Sequence, residues 1–181
     1  MGKYIYLEFL IPIKDYLTTL KIREAIFDWL IPLIITLLAY IFILRGSQYT
    51  ESLKQLNGYI ISLLGILIGF SITSVTLLVT SSSKNIEELQ ETVASQRKIA
   101  GQKINLYQLI LINFTFVLMV EVFTLAINLI YALIDAASSK ATNFWVFFCV
   151  ANIFLLSNII LLSIRNTTNI YFVFLFNKNK K

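Results

Sequence analysis

Apolar residues gather in four long runs along this chain, and the polar residues inside those runs recur at helical spacing. The runs cover about residues 29–44, 58–80, 106–134 and 143–164. Crossing a hydrocarbon core takes roughly 20 helical residues, so each run predicts a transmembrane helix. The first is the shortest, about 24 Å long at about 1.5 Å per residue. In it Trp29 suits the headgroup level and Pro32 suits a first helical turn, where no amide donor is needed. The fold class this predicts is all-α, a polytopic membrane protein with a four-helix transmembrane domain over residues 29–164.

Two of the runs carry stripes. In the third, Asn113, Glu121, Thr124, Asn128 and Asp135 fall within a sector of roughly 80° at about 100° per residue. In the second, Gly58, Ser62, Gly65, Gly69, Thr73, Thr76 and Thr80 stay within a similar sector for the whole length of the helix. Ser71 and Ser74 are further small polar groups there. On the fourth run Asn152 and Asn158 lie about 120° apart, too far for one polar face. That helix, rich in Phe144, Trp145, Phe147, Phe148 and Phe154, is expected to face lipid.

The segments between the runs set the orientation. Twelve of the fifteen basic residues lie before the first run, between the second and third, or after the fourth; only Arg45, Lys54 and Lys140 lie opposite. The positive-inside rule then places both termini and the 81–103 loop in the cytoplasm. Residues 1–28 read as a cytoplasmic amphipathic segment. Its apolar stretch Tyr4–Ile13 is broken by Pro12, and Asp15–Asp28 is expected to lie on the inner leaflet. In the 81–103 loop, Ile86, Leu89, Val93 and Ala100 recur at helical spacing, and Asn85 with Glu88 resembles a capping box. The loop is therefore predicted as a helical stalk that turns near Ser95 to Gly101. Residues 165–181 form an aromatic, then basic, tail.

Composition narrows the chemistry. The 181 residues are 57% hydrophobic and 14% charged, with mean hydropathy +0.77 and net charge +5; soluble domains carry about a quarter charged residues. Histidine is absent and Cys149 is the single cysteine, which argues against zinc sites, thiol catalysis and disulfides. No dinucleotide fingerprint, P-loop or nucleophile elbow occurs, nor any signal-peptide or myristoylation pattern at the amino terminus. The expectation is a protein without cofactor or metal, and not an enzyme.

An acid at bilayer depth costs about 2.5–3.5 kcal/mol even on insertion scales, so Glu121 is expected to face protein, water or an ion. Two readings stand side by side: an internal hydrogen-bond network, or a wet cation path through Glu121, Asn113, Thr124, Asn128, Asp135, Thr73 and Thr76. Gly58, Ser62, Gly65 and Gly69 serve equally as a helix-packing face or a pore wall. Because a four-helix bundle fills its own core, conduction implies a homo-oligomer. Arg97, Lys98 and Lys103 are the candidates for binding an anionic ligand or lipid headgroups. A holin-like lesion former and a non-conducting subunit that anchors a partner protein are the alternatives.

The segment GILIGFSITSVTLLVTSSSKNIEELQ, residues 65–90, followed by a polar-striped helix, resembles the small multi-pass membrane effectors of bacterial anti-phage defence. In layout the chain is most similar to the Hailong membrane effectors. The resemblance implies an oligomeric channel in the bacterial inner membrane, with a nucleotide or short single-stranded nucleic acid as ligand. It also implies a partner enzyme that makes that ligand. It assigns no residue.

Overall fold

The computed structural model describes residues 5–45, 49–137 and 142–176. Four of its helices are long and apolar enough to cross a membrane, with spans Ile22–Phe42, Gln55–Thr80, Leu106–Leu133 and Val146–Phe172. The chain is a multi-pass helical membrane protein. Its surface agrees: Leu33, Ile34, Ile35, Leu37 and Leu38 are each about half exposed along one helix, a pattern that lipid accepts and water does not. The interior is correspondingly polar. Thirteen polar or charged described side chains are buried beside seventeen apolar ones, so the bundle is joined by hydrogen bonds as well as by packing.

A 3₁₀ stretch, Ile5–Leu10, leads into α1 (Ile11–Thr19). After a turn at Leu20 and Lys21, α2 (Ile22–Ala25), a π-helical turn (Ile26–Leu30) and α3 (Ile31–Arg45) run on without a break. Then come α4 (Tyr49–Thr80), the short α5 (Lys84–Glu91), a hairpin of β1 (Val93–Ile99) and β2 (Gln102–Asn105), and the long helices α6 (Leu106–Ala137) and α7 (Thr142–Phe176). Helix α6 packs against α4, α7 and α1, while α7 also holds α3.

Three local outcomes differ from the sequence expectation. The 81–103 loop is helical only over α5; beyond it lies a hairpin in which Ile99 pairs with Gln102. The two turn residues, Ala100 and Gly101, both take positive φ, 48° and 83°, the backbone that a two-residue hairpin turn demands. Val93 and Ala100, counted as helical positions, are exposed, whereas Ala94 and Ile104 pack on Leu109. Alternation replaces the helical period after Leu89.

The first membrane helix starts at Ile22 rather than near Trp29, which makes Pro32 an interior residue. The π turn just before it absorbs the misfit that proline causes in a helix. Finally, α1 does not lie apart from the bundle. Tyr16, with Ile13 and Leu20, packs on Phe116, Val117 and Leu162, and Phe9 reaches Phe123 at 6.3 Å between ring centroids. The segment thus runs antiparallel beside α6, with Phe9, Ile11 and Leu17 on its outer side.

Candidate functional site

Helix α6 positions the site because its polar residues recur at steps that keep them on one side. Asn113, Glu121, Thr124 and Asn128 are all buried, along about 22 Å of helix. The opposing surface of α4 is built from Asn57, Ile60, Leu64, Ser71, Ser74 and Leu78, all buried. These also share one side of their helix, roughly opposite the glycine and threonine stripe. What meets Glu121 is therefore Ser71, on the buried side of α4, and not the stripe.

At the end of the bundle far from the hairpin, Asn128 Nδ2 donates to Asn152 Oδ1 at 2.6 Å and to its own helix at the Thr124 carbonyl, 2.7 Å. Asn57 Nδ2 donates to the Asn128 carbonyl at 3.4 Å. Tyr131 stacks on Phe148 beside this trio at 3.8 Å, and a cavity of about 10 Å³ lies among Asn57, Tyr131, Cys149 and Asn152.

In the middle stands Glu121, with no exposed surface. Its Oε1 accepts a hydrogen bond from Ser71 Oγ at 3.1 Å, and its Oε2 has no partner. Thr124 is one turn away, but its hydroxyl donates to the Val120 carbonyl at 2.7 Å. Among the described residues no cation pairs with Glu121.

Toward the hairpin end lies a charged cluster. The Asp28 carboxylate, on the π turn, accepts from the Tyr16 hydroxyl at 2.6 Å and pairs with Arg165 on α7. The Asp28 main-chain carbonyl accepts from Asn158 Nδ2. The sequence explains that second bond: Pro32, four residues on, has no N–H for the Asp28 carbonyl, and the Asn158 side chain donates in its place. Burial first, and the Asp28 carboxylate next, hold the Tyr16 phenol above its ordinary range, so it stays a proton donor. Its ring stacks on Phe116 at 3.7 Å, and the Arg165 guanidinium sits 5.8 Å from the ring centroid. Asn166, one residue beyond Arg165, is buried with neither side-chain atom partnered.

Apolar packing separates these stations. Ile60, Leu64 and Ile159, with Leu125 and Leu156, fill the bundle around the step from Asn128 to Glu121, and Phe116, Val117 and Leu162 fill the next. The interior is a row of polar stations with apolar layers between them. The buried polar atoms without partners, among them Asp28 Oδ1, Asn57 Oδ1, Glu121 Oε2, Asn128 Oδ1 and Asn166 Oδ1, all belong to the stations or flank them.

The predicted site residues divide accordingly. Asn113, Glu121, Thr124 and Asn128 come together in the interior. Thr73 and Thr76 do not join them: they lie on the exposed side of α4 with Gly58, Ser62, Gly65 and Gly69. A Cβ added at Gly58, Gly65 or Gly69 meets nothing within 4 Å, so this face packs on no other helix of the described chain. Thr73 Oγ1 donates to the Gly69 carbonyl at 2.8 Å, which leaves its methyl group outward. The side chain of Asp135 lies outside the described residues, as do those of Phe144 and Trp145 and the last five residues of the tail.

Helix α7 was expected to face lipid, and Phe147 does. Its two asparagines are nevertheless buried, one against α6 and one against the π turn, because α7 lies between two neighbours. Asp28, the last residue of the predicted amphipathic segment, and Arg165, just after the fourth run, are partners. The sequence signal was there, an acid and a base each at the edge of an apolar run, but periodicity within one helix cannot pair residues of two.

At the hairpin end, Arg97 bonds Glu24, whose other oxygen caps the Lys21 N–H at 3.1 Å. These residues, with Thr18, Thr19 and Arg23, line an open cleft of about 620 Å³. Lys98 and Lys103 are register partners on the hairpin and both are exposed, two like charges side by side. No protein family, curated protein or solved structure matches this chain.

Proposed function

We propose that this protein is an ion-conducting membrane effector, held closed in the described conformation and opened by a signal at its hairpin end. The observation that carries this is the row of buried polar stations along the bundle, with an unpaired acid at its centre. A merely structural network would satisfy its members, since a half-satisfied buried network is worse than apolar packing. Here one oxygen of Glu121 and both side-chain atoms of Asn166 have no partner among the described protein groups, which leaves them open to water or an ion.

The bare glycine and hydroxyl face of α4 supports assembly of several copies, because small residues allow close approach between helices in lipid. In that arrangement each protomer brings its own Glu121, and the acid favours cations. The basic cleft around Arg97 and the Lys98–Lys103 pair supports an anionic signal, in keeping with a nucleotide or short nucleic-acid ligand made by a partner enzyme. The bacterial inner membrane, with the hairpin in the cytoplasm, is the location that the charge asymmetry supports. The resemblance in style supports a role in anti-phage defence, as a depolarising effector.

The test is ion leak on expression and in proteoliposomes, comparing Glu121→Ala and Gly69→Leu with the parent. Loss of the potassium or proton leak in either variant, with the protein still in the membrane, is expected. Unchanged leak in both removes the conduit. A large, unselective leak independent of Glu121 identifies a lesion former instead.

A further inference from the structure

We propose that Glu121 is an exchangeable proton site, so that the ion this protein handles is the proton and not an alkali cation. The identity of the transported ion rests on the conducting function proposed above; the proton site itself does not.

The argument starts from charge. Glu121 is fully buried, and a lone ionised carboxylate in such surroundings is neutralised by a counter-charge or by a proton. Among the described residues no counter-charge stands opposite Glu121 on the packed elements. The facing span of α4, Gln55–Thr80, contains no charged residue at all, and α6 contributes none from Leu106 to Leu133 except Glu121. On α7 the one cation of the span, Arg165, is committed to Asp28. On the α1 side, Lys14 is exposed and Tyr16 donates to Asp28.

A bare alkali cation needs a shell of oxygens to replace its water. The side-chain oxygen bonded to Glu121 is that of Ser71, and the Thr124 hydroxyl one turn along gives its proton to Val120. Helical main-chain carbonyls can take a second bond from a hydroxyl of their own helix, as Val120 does, but they point along the helix axis and do not converge on the carboxylate. That set is too small for a dehydrated cation and sufficient for a proton. Ser71 also allows both states. It donates to the carboxylate, as observed, and after protonation it accepts the acid O–H while turning its own proton to the carbonyl one turn back on α4. The exchange is a carboxylate plus a proton going to a carboxylic acid, with no other reactant.

Dicyclohexylcarbodiimide, which adds to protonated carboxyls in apolar surroundings, tests this on the full-length protein in proteoliposomes, with the modified residue mapped by peptide mass spectrometry. Glu121 is expected to be modified, less so as the pH is raised, with no protection by sodium or potassium. Asp28, paired with Arg165, is expected to stay unmodified. Ser71→Ala should raise the pH at which labelling falls, because the serine donates to the charged form, and Glu121→Gln should abolish labelling. A Glu121 that stays unlabelled at every pH in folded protein, or that sodium or potassium protects, overturns the proposal. Labelling as expected with potassium flux but no proton flux upholds the site and overturns the ion assignment, whereas labelling with flux of neither ion removes the conducting function, so the failures are separable.

Discussion

Replacing Arg165 by methionine probes how this bundle keeps a charge in its interior. The side chain of Asp28 is 0% exposed and that of Arg165 is 13% exposed. Without the guanidinium, the carboxylate keeps only the Tyr16 hydroxyl as a side-chain donor. Removing one partner of a buried pair costs about 3–5 kcal/mol, or about two to four orders of magnitude in the folding equilibrium at about 1.4 kcal/mol per tenfold. The cost comes from the orphaned charge rather than from a lost attraction, so neutralising Asp28 should repair it. Asp28→Asn in the Arg165→Met background retains a carbonyl oxygen to accept from Tyr16 and should recover at least about 2 kcal/mol of the loss. The assay is unfolding of detergent-solubilised protein by sodium dodecyl sulfate, followed by circular dichroism, across the full double-mutant cycle. If both single variants unfold within about 0.5 kcal/mol of the parent and their effects add, the pair holds nothing together. The account of how the first and last helices are joined then fails.

The remaining predictions use the same unfolding assay unless stated. Asn158→Leu should cost about 1 kcal/mol more in the parent than in a Pro32→Ala background, where a restored N–H serves the Asp28 carbonyl. Asn128→Leu should cost about 0.6–1.7 kcal/mol, the range of interhelical hydrogen bonds in membranes, and adding Asn152→Leu should cost less than the sum. Gly65→Leu and Gly69→Leu should leave protomer stability within about 0.5 kcal/mol, since a side chain there meets no neighbour, yet lower the mass of the assembled particle in native mass spectrometry. Gly101→Ala should weaken the hairpin by about 1 kcal/mol and Ala100→Gly should strengthen it by a similar amount, because both positions hold positive φ. Hydrogen exchange of the Val93–Asn105 amides reads both.

How far the site was legible depends on whether its parts share a helix. Asn113, Glu121, Thr124 and Asn128 are on one element, and the helical period alone placed them on one face. Their partners Ser71, Asn152 and Asn57 are on other elements, and no period connects residues of separate helices. The α4 stripe shows the converse: Thr73 and Thr76 share a spacing with the α6 residues, and the structure places them on the outer side of the bundle. A helix with two polar faces does not say which one its neighbours take.

The sequence by itself determined the class, because runs of apolar residues long enough to cross a bilayer have no other low-energy home. It also determined that an acid lies in the middle of one of them. Only the tertiary structure decided how two charges at the edges of apolar runs are accommodated. Asp28 and Arg165, each too costly for lipid alone, neutralise each other across two helices separated by most of the chain. Electrostatic cost is a property of a charge and its surroundings together, and the surroundings exist only after folding.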